Sequence, residues 1–317
     1  MKIVIPGGSG QVGRILARHF HARGHAVTVL SRNPHPFPWR VRVWDGLAPG
    51  DWISELEQSD VCINLAGRSV NCRYNAANRH AIYESRIHTT RLLNDVVSSL
   101  ANPPWLWINA STATIYRHAL DRAMTEVEGE LGGNEPGAPD TWNFSIQVAK
   151  GWEEAFFSTT TARTRKVAIR SALTLSPDRG GVFDTLLGLV RHGLGGRHGP
   201  GTQYVSWIHE TDFVGAIEFL IMREELTGVV NLASPEPVPN CEFLRMLCEA
   251  WGARLALPNL TWIIEIGTML MRTESELVLK SRRVVPARLL AAGFEFSFPD
   301  WRSASHDLVA RWRANAG

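Results

Sequence analysis

The chain has 317 residues, beyond the roughly 250–300 at which one hydrophobic core stops growing, so a large domain with a smaller appendage is expected. With 44% hydrophobic and 20% charged residues and a net charge of +2, its composition is that of an ordinary globular protein, with no electrostatic case for nucleic acid. Four cysteines without a CxxC pair point to no disulfide or metal framework, and twelve tryptophans without a period exclude a repeat architecture.

Taken in chain order, a strand pattern, "KIVI", begins at the second residue and leaves no room for a leader peptide, so a cytoplasmic chain without membrane contact is expected. A helix over 12–23 follows, then the short apolar runs "AVTVL", "RVRVW" and "VCINLAG". Such alternation predicts a parallel sheet with crossover helices. A long helix over 75–100 and a strand "WLWINAS" continue the pattern, and the polar, Gly- and Pro-rich stretch 117–141 predicts a loop over the sheet. Beyond it the spacing predicts a helix over 147–159, a strand "KVAIRSALTL", and a glycine-broken segment "RHGLGGRHGPGTQYVSWIH". Next comes a helix from Asp212, capped by Thr211 or Asp212, then a strand "GVVNLA" and a helix "CEFLRMLCEAWG". The apolar stretch Thr261–Met271 holds Glu265, is too short to span a bilayer, and reads as a buried helix.

These elements predict an α/β fold: a doubly wound parallel sheet of the Rossmann type with a smaller C-terminal subdomain on the substrate side. Residues 1–165, with returning segments 166–176 and 205–233, would form the nucleotide-binding domain. Residues 177–204 and 234–317 would form the subdomain.

The stretch "GGSGQVG" lies where the first strand gives way to the first helix, which makes its glycine spacing informative. Gly7 would permit the tight turn, Gly10 would let the backbone approach a pyrophosphate, and Gly13 would let the helix pack closely on the sheet. The amides of Gln11 and Val12 would then face an anion at the positive helix end. The alternative is a strand-to-helix turn with no ligand. After the second strand, where NAD-preferring proteins place an acid for the ribose 2′-hydroxyl, the chain has "SRN". Ser31 and Arg32 suit a 2′-phosphate instead, so NADP(H) is the expected cofactor; the alternative for Arg32 is a solvated surface charge.

Together with "VTVLSRNP", "INLAG", "ESRIHTTRLL", "IRSALTLSPDRGG", "GLGGRHGPGTQYVSWIH" and "VVPARLLAAGFEFSFPD", the glycine motif resembles the extended or atypical short-chain dehydrogenase/reductases of the NAD-dependent epimerase/dehydratase family. Within it the chain is similar to the YfcH-like, sugar-nucleotide-epimerase-like branch, whose members end in a small domain of unknown function. The resemblance implies that Ser31 and Arg32 hold the 2′-phosphate and that Asp45 lies near adenine. It puts Leu65, Ala66 and Gly67 beside the ribose, Arg86 in contact with the cofactor, and Leu173 or Thr174 at the nicotinamide end. It also implies a homodimer formed through the helices over 75–100 and 147–159.

Active members of that superfamily use a Ser or Thr together with a Tyr and a Lys in the spacing YxxxK. Here "STATIY" supplies Thr112, and the helix "NFSIQVAKGWEEAF" supplies Lys150. Four residues before Lys150 stands Ile146, and a register shifted by one gives Ser145 and Ala149. The four tyrosines are Tyr74, Tyr83, Tyr116 and Tyr204, and none precedes a lysine by four residues. Arg191, Arg197 and His209, interleaved with glycines, are candidates to hold a substrate diphosphate or carboxylate, or else belong to a flexible basic loop. "HETDF" lacks the second histidine of a zinc motif, so no metal site is expected. Two functions follow: an NADP(H)-dependent oxidoreductase or epimerase-like enzyme on a small polar substrate, nucleotide-linked or free, and a non-catalytic NADP(H)-binding sensor or regulator.

Overall fold

Strands rich in Val and Ile that are apolar at successive positions are buried on both faces, and that is how the central sheet is made. The computed structural model describes residues 1–33, 35–257 and 276–315. Its main sheet contains β1 (Lys2–Pro6), β2 (Ala26–Ser31), β3 (Arg40–Val43), β4 (Val61–Asn64), β5 (Leu106–Thr112), β6 (Arg165–Ser171) and β10 (Gly228–Leu232). All pairings are parallel, in the order β10-β6-β5-β4-β1-β2-β3. The strand order reverses between β1 and β4, and a doubly wound sheet opens a ligand crevice at such a point, at the carboxyl ends of its strands.

Helices α1 (Gln11–Ala22) and α6 (Glu210–Met222) cover one face, packing Leu16, Phe20, Phe213 and Ile217 on Ile5, Val29 and Ile169. On the other face lie α3 (Ala76–Ser99) and α4 (Asp140–Phe157), whose Leu93, Val97 and Phe156 meet Leu30 and Trp107. Between β3 and β4 the chain makes one short helical turn, α2 (Ile53–Leu56). A second core joins α5 (Val182–Arg191), α7 (Asn240–Trp251) and the C-terminal helix Trp301–Ala314, with Trp301 stacked on Phe243 at 4.0 Å.

Several expectations are revised. The strand expected over "KVAIRSALTL" divides into β6 and β7 (Leu173–Leu175), and β7 leaves the main sheet to pair with β9 (Trp207–His209). The glycine-broken segment therefore holds two short strands, β8 (Tyr204–Val205) and β9; β8 pairs with β11 (Val238–Pro239). Helix α4 starts at Asp140, immediately after Pro139, because its first two turns are anchored by Phe144 packing edge-on to Tyr74 at 5.1 Å. Helix α5 was not anticipated, although Phe183, Leu187 and Val190 carry a helical spacing and all face the second core. The N-cap of α6 is His209 rather than Thr211 or Asp212: its Nδ1 accepts the Thr211 amide at 3.1 Å. The expected helix over Thr261–Met271 lies outside the described residues. No described helix is long and apolar enough to cross a membrane.

Candidate functional site

The turn from β1 into α1 is built from close backbone approaches. Gly7 adopts φ 75°, and a Cβ there would lie 2.6 Å from the Ala66 Cα. A Cβ on Gly13 would lie 2.4 Å from the Gly8 Cα, so the third glycine brings the helix onto the loop itself and not, as expected, onto the sheet. Gly10 differs from both. It caps α1 with no side-chain hydrogen bond, and the nearest atom to its absent Cβ is 3.7 Å away, so the helix N-terminus opens onto space. The first amides of α1, including those of Gln11 and Val12, gather partial positive charge there. Gly181, the N-cap of α5, packs on the Gln11 side chain so closely that a Cβ would fall 2.0 Å from Nε2. Among the described residues Gln11 Nε2 and Arg14 Nε, both buried, have no hydrogen-bond partner. Arg14 escaped the sequence reading because no spacing rule marks it.

At the end of β2, buried Ser31 donates from Oγ to Ser9 Oγ at 2.9 Å, bracing the tip of the glycine loop against the second strand. Arg32 is exposed and has no carboxylate partner among the described residues. Asp45 is also exposed, and its Oδ1 accepts the amides of Leu47 and Ala48 at 2.8 and 3.4 Å, closing a turn. Beyond β4, the segment Leu65–Gly67 runs beside Gly7, held by Ala66 N–H to Asn64 Oδ1 at 3.1 Å and by Asn64 Nδ2 to Asn109 Oδ1 at 2.7 Å.

A second concavity, about 250 Å³, lies where β5 ends between α3 and α4. Thr112, the last residue of β5, reaches it, with its Oγ1 accepting the Thr114 amide at 3.1 Å. From α4 come Phe144, Ser145, Val148, Ala149 and Trp152, five positions on one side of the helix. Lys150 belongs to another face. Its Nζ lies 3.5 Å from where a Cβ on Gly133 would sit, and Ile146 packs on the same loop, so the expected catalytic lysine does not line the cavity. Tyr74, Arg86, Glu276 and Arg282 do line it, and of these only Arg86 was singled out from the sequence. The Arg86 guanidinium lies over the Trp152 ring at 5.1 Å, donates to the Ile82 carbonyl at 3.1 Å, and would touch a Cβ on Gly67 at 3.1 Å. It thus stands between the glycine-loop site and the cavity. Ser145 Oγ donates to Glu276 at 2.5 Å and lies 3.5 Å from the Tyr74 hydroxyl, whose pKa burial raises.

Residues 3–233 match the NAD dependent epimerase/dehydratase family, and residues 261–308 match a domain of unknown function, DUF1731. The human epimerase family protein SDR39U1 is 31% identical over 318 residues, covering 98% of this chain and all of the relative. The chain belongs to the NAD dependent epimerase/dehydratase family. A crystal structure of that human protein (isoform 2) with NADPH superposes with a TM-score of 0.85 at 28% identity, over 98% of this chain and 99% of the other. A nucleoside-diphosphate sugar epimerase from Corynebacterium glutamicum superposes with a TM-score of 0.75 at 30% identity, over 97% of this chain and 58% of the other.

Against the YxxxK pattern of the wider superfamily, the cavity-facing register is Ser145 and Ala149. That face carries neither a tyrosine nor a lysine at these two positions. Beneath the cavity floor a buried polar chain is complete. Ser111 Oγ donates to Glu153 at 2.5 Å, Arg170 binds Glu153 through two bonds of 2.8 and 2.7 Å, and Arg170 also donates to the Tyr116 hydroxyl at 2.9 Å. Tyr116 in turn donates to Asn231 Oδ1 at 2.9 Å, and burial raises its pKa. Its proton is committed to the fold.

The three residues proposed from the glycine-broken segment are not brought together. Arg191 is exposed and lies over the Trp312 and Trp251 rings at 4.9 and 5.8 Å, and Arg197 donates to the Pro200 carbonyl at 3.0 Å. His209 is fully buried. Besides capping α6 it donates from Nε2 to Asp307 at 3.0 Å, and burial lowers its pKa, so it is a neutral structural imidazole and offers no surface to a substrate. Thr174 is buried in β7, opposite Ile208, and Leu173 beside it is half-buried. Among the described residues no group of three or more metal-ligating side chains assembles.

Proposed function

We propose that the protein binds NADP(H) along the glycine loop and acts as an oxidoreductase or epimerase-like enzyme on a small polar substrate in the cavity between α3 and α4. The observation that carries this reading is the glycine loop. Gly10 leaves the α1 N-terminus uncapped, Gln11 Nε2 and Arg14 Nε in the first turn of α1 are buried donors without a partner among the described residues, and no acid stands at the end of β2 to repel a 2′-phosphate. The human relative crystallised with NADPH supports the same cofactor. In this reading Gln11 and Val12 hold the pyrophosphate, Ser31 and Arg32 the 2′-phosphate, Asp45 lies near adenine, and Leu65–Gly67 flank the ribose, with Thr174 toward the nicotinamide end. When bound, the cofactor supplies hydride transfer. Thr112 orients the substrate oxygen at the end of β5, and α5, α7 and the C-terminal helix form the substrate-side subdomain.

Absence of both YxxxK side chains from the cavity face favours a second reading, in which the protein binds NADP(H) without catalysis and serves as a sensor or regulator. Fluorescence titration with NADPH and NADH tests what the two readings share. NADPH is expected to bind more tightly, and Arg32→Ala to weaken it about 10- to 100-fold while leaving NADH unchanged, the loss typical of a charge-assisted hydrogen bond. Equal affinity for both cofactors, or an unaltered variant, would refute the 2′-phosphate assignment.

A further inference from the structure

Arg14, in the first turn of α1, lies one turn beyond the cap, with its amide donating to the Gly10 carbonyl at 2.9 Å. Its guanidinium makes no hydrogen bond, ion pair or ring contact among the described residues, although the side chain is half-buried and its Nε is shut off from solvent. A charge held this way without a counterion costs free energy until an anion meets it. The neighbouring guanidiniums are already engaged: Arg18 donates to Asp178 at 3.1 Å, and Arg179 stands 3.4 Å from Asp184. Arg32, at the end of β2, is the other cation near this turn with no carboxylate among the described residues.

The helix fixes which flank Arg14 occupies. Three positions before it Gln11 packs on Gly181, four positions after it Arg18 meets Asp178, and seven positions after it His21 meets the Trp39 ring edge-on at 6.2 Å. Residues at these spacings share one flank of an α-helix, so Arg14 lies between the 178–181 loop and the connection that runs from β2 to β3. That connection begins with Arg32, next to Ser31, whose Oγ donates to Ser9 Oγ at the tip of the glycine loop. Long helical side chains lean back toward the N-terminus, and Arg14 is only about 6 Å from Gly10 along the axis at roughly 1.5 Å per residue. The end of β2 is therefore within reach of its guanidinium.

We infer that Arg14 and Arg32 together grip the 2′-phosphate of the cofactor, one guanidinium from α1 and one from the end of β2, so that Arg14 helps to select NADP(H) over NAD(H). This assignment deepens the reading above and takes the cofactor from it. A phosphate monoester carries about −1.5 to −2 charges at pH 7, so Arg32 alone leaves part of it unmatched. The pyrophosphate is met by the amides at the positive end of α1. At the end of β2, Ser31 and Ser9 offer hydroxyls and no charge, which leaves the second cation to Arg14.

Calorimetric titration of the full chain with NADPH, NADH and 2′,5′-ADP, alongside thermal melting, tests the assignment. Arg14→Gln is expected to weaken NADPH and 2′,5′-ADP about 10- to 100-fold and to leave NADH unchanged, and Arg14→Lys, which keeps the charge, should restore part of the loss. Because the guanidinium has no partner in the described fold, the bare Arg14→Gln chain should melt no lower than the parent, while the rise in Tm given by saturating NADPH shrinks. Should Arg14→Gln fail to fold, Arg14→Lys carries the same comparison of NADPH with NADH. A variant that weakens NADPH and NADH alike would overturn the inference by assigning the guanidinium to the pyrophosphate. A lower Tm of the bare chain with cofactor preference unchanged would overturn it by giving Arg14 a structural role. NADPH affinity that falls in Arg32→Ala but not in Arg14→Gln would refute the two-arginine grip and leave the cofactor reading intact, whereas a parent chain that binds no NADPH would refute both.

Discussion

The glycine loop and the α3–α4 cavity both open at carboxyl ends of parallel strands, β1 and β5, yet they are made of different material. The loop is made of backbone: its shape depends on Cβ atoms that are missing at Gly7 and Gly13 and on amides that every residue carries. The cavity is made of side chains drawn from Val70 to Arg282. A backbone site cannot drift without losing its geometry, whereas a side-chain site can exchange one residue for another supplied from a different element. In this chain the backbone site keeps its glycines, while the cavity face of α4 presents Ser145 and Ala149.

The comparison can be broken most severely from below the cavity. Arg170→Met would leave Glu153 buried without its bidentate partner, a loss of about 3–5 kcal/mol, and thermal melting should show a fall in Tm of about 10 °C. A variant that melts like the parent would mean that the polar floor does not hold the cavity in place.

Acid is the next test, because it acts away from both sites. Burial pushes His198 down to about 4, while in the unfolded chain it titrates near about 6.5, so the unfolded state binds the extra proton between those values. Stability should be level above about pH 6.5 and decline toward pH 4, by about 3 kcal/mol from this imidazole. In His198→Gln the Tm-versus-pH curve should be shallower over that window; identical slopes would show that the imidazole is not buried neutral.

On the backbone site itself, Gly13→Ala forces a Cβ to within 2.4 Å of Gly8, which should cost about 1–3 kcal/mol and abolish NADPH binding by shifting the loop. Melting and cofactor titration of the same sample would show whether the loop is as intolerant as the comparison requires. The smallest effect is expected at Lys150, turned toward Gly133 and away from the cavity: Lys150→Ala should change stability by no more than about 0.5 kcal/mol and leave NADPH affinity unaltered. A large loss of affinity would return Lys150 to the site and close the contrast between the two faces of α4.

Much of the scaffold was legible because its causes are local. Uninterrupted apolar runs mark buried parallel strands, the apolar spacing in α3 runs from Ile82 to Val97, and the loop glycines follow a strand and precede a helix. The same local reasoning missed α5, whose short apolar stripe became visible only against the second core, and misplaced the cap of α6, where an imidazole does the work of the expected Thr or Asp.

By itself the sequence determined the doubly wound sheet, the turn that opens onto the α1 N-terminus and the absence of an acid after β2. Each is fixed by periodicity, by φ or by residue identity at one position. Only the tertiary structure decided which face of α4 meets Thr112, and it chose Ser145 and Ala149 over Ile146 and Lys150 because Ile146 is buried against the Gly132–Gly133 loop. Only the tertiary structure, too, brought Tyr74, Arg86, Glu276 and Arg282 around one cavity, since residues up to 208 positions apart become neighbours through packing and not through spacing along the chain.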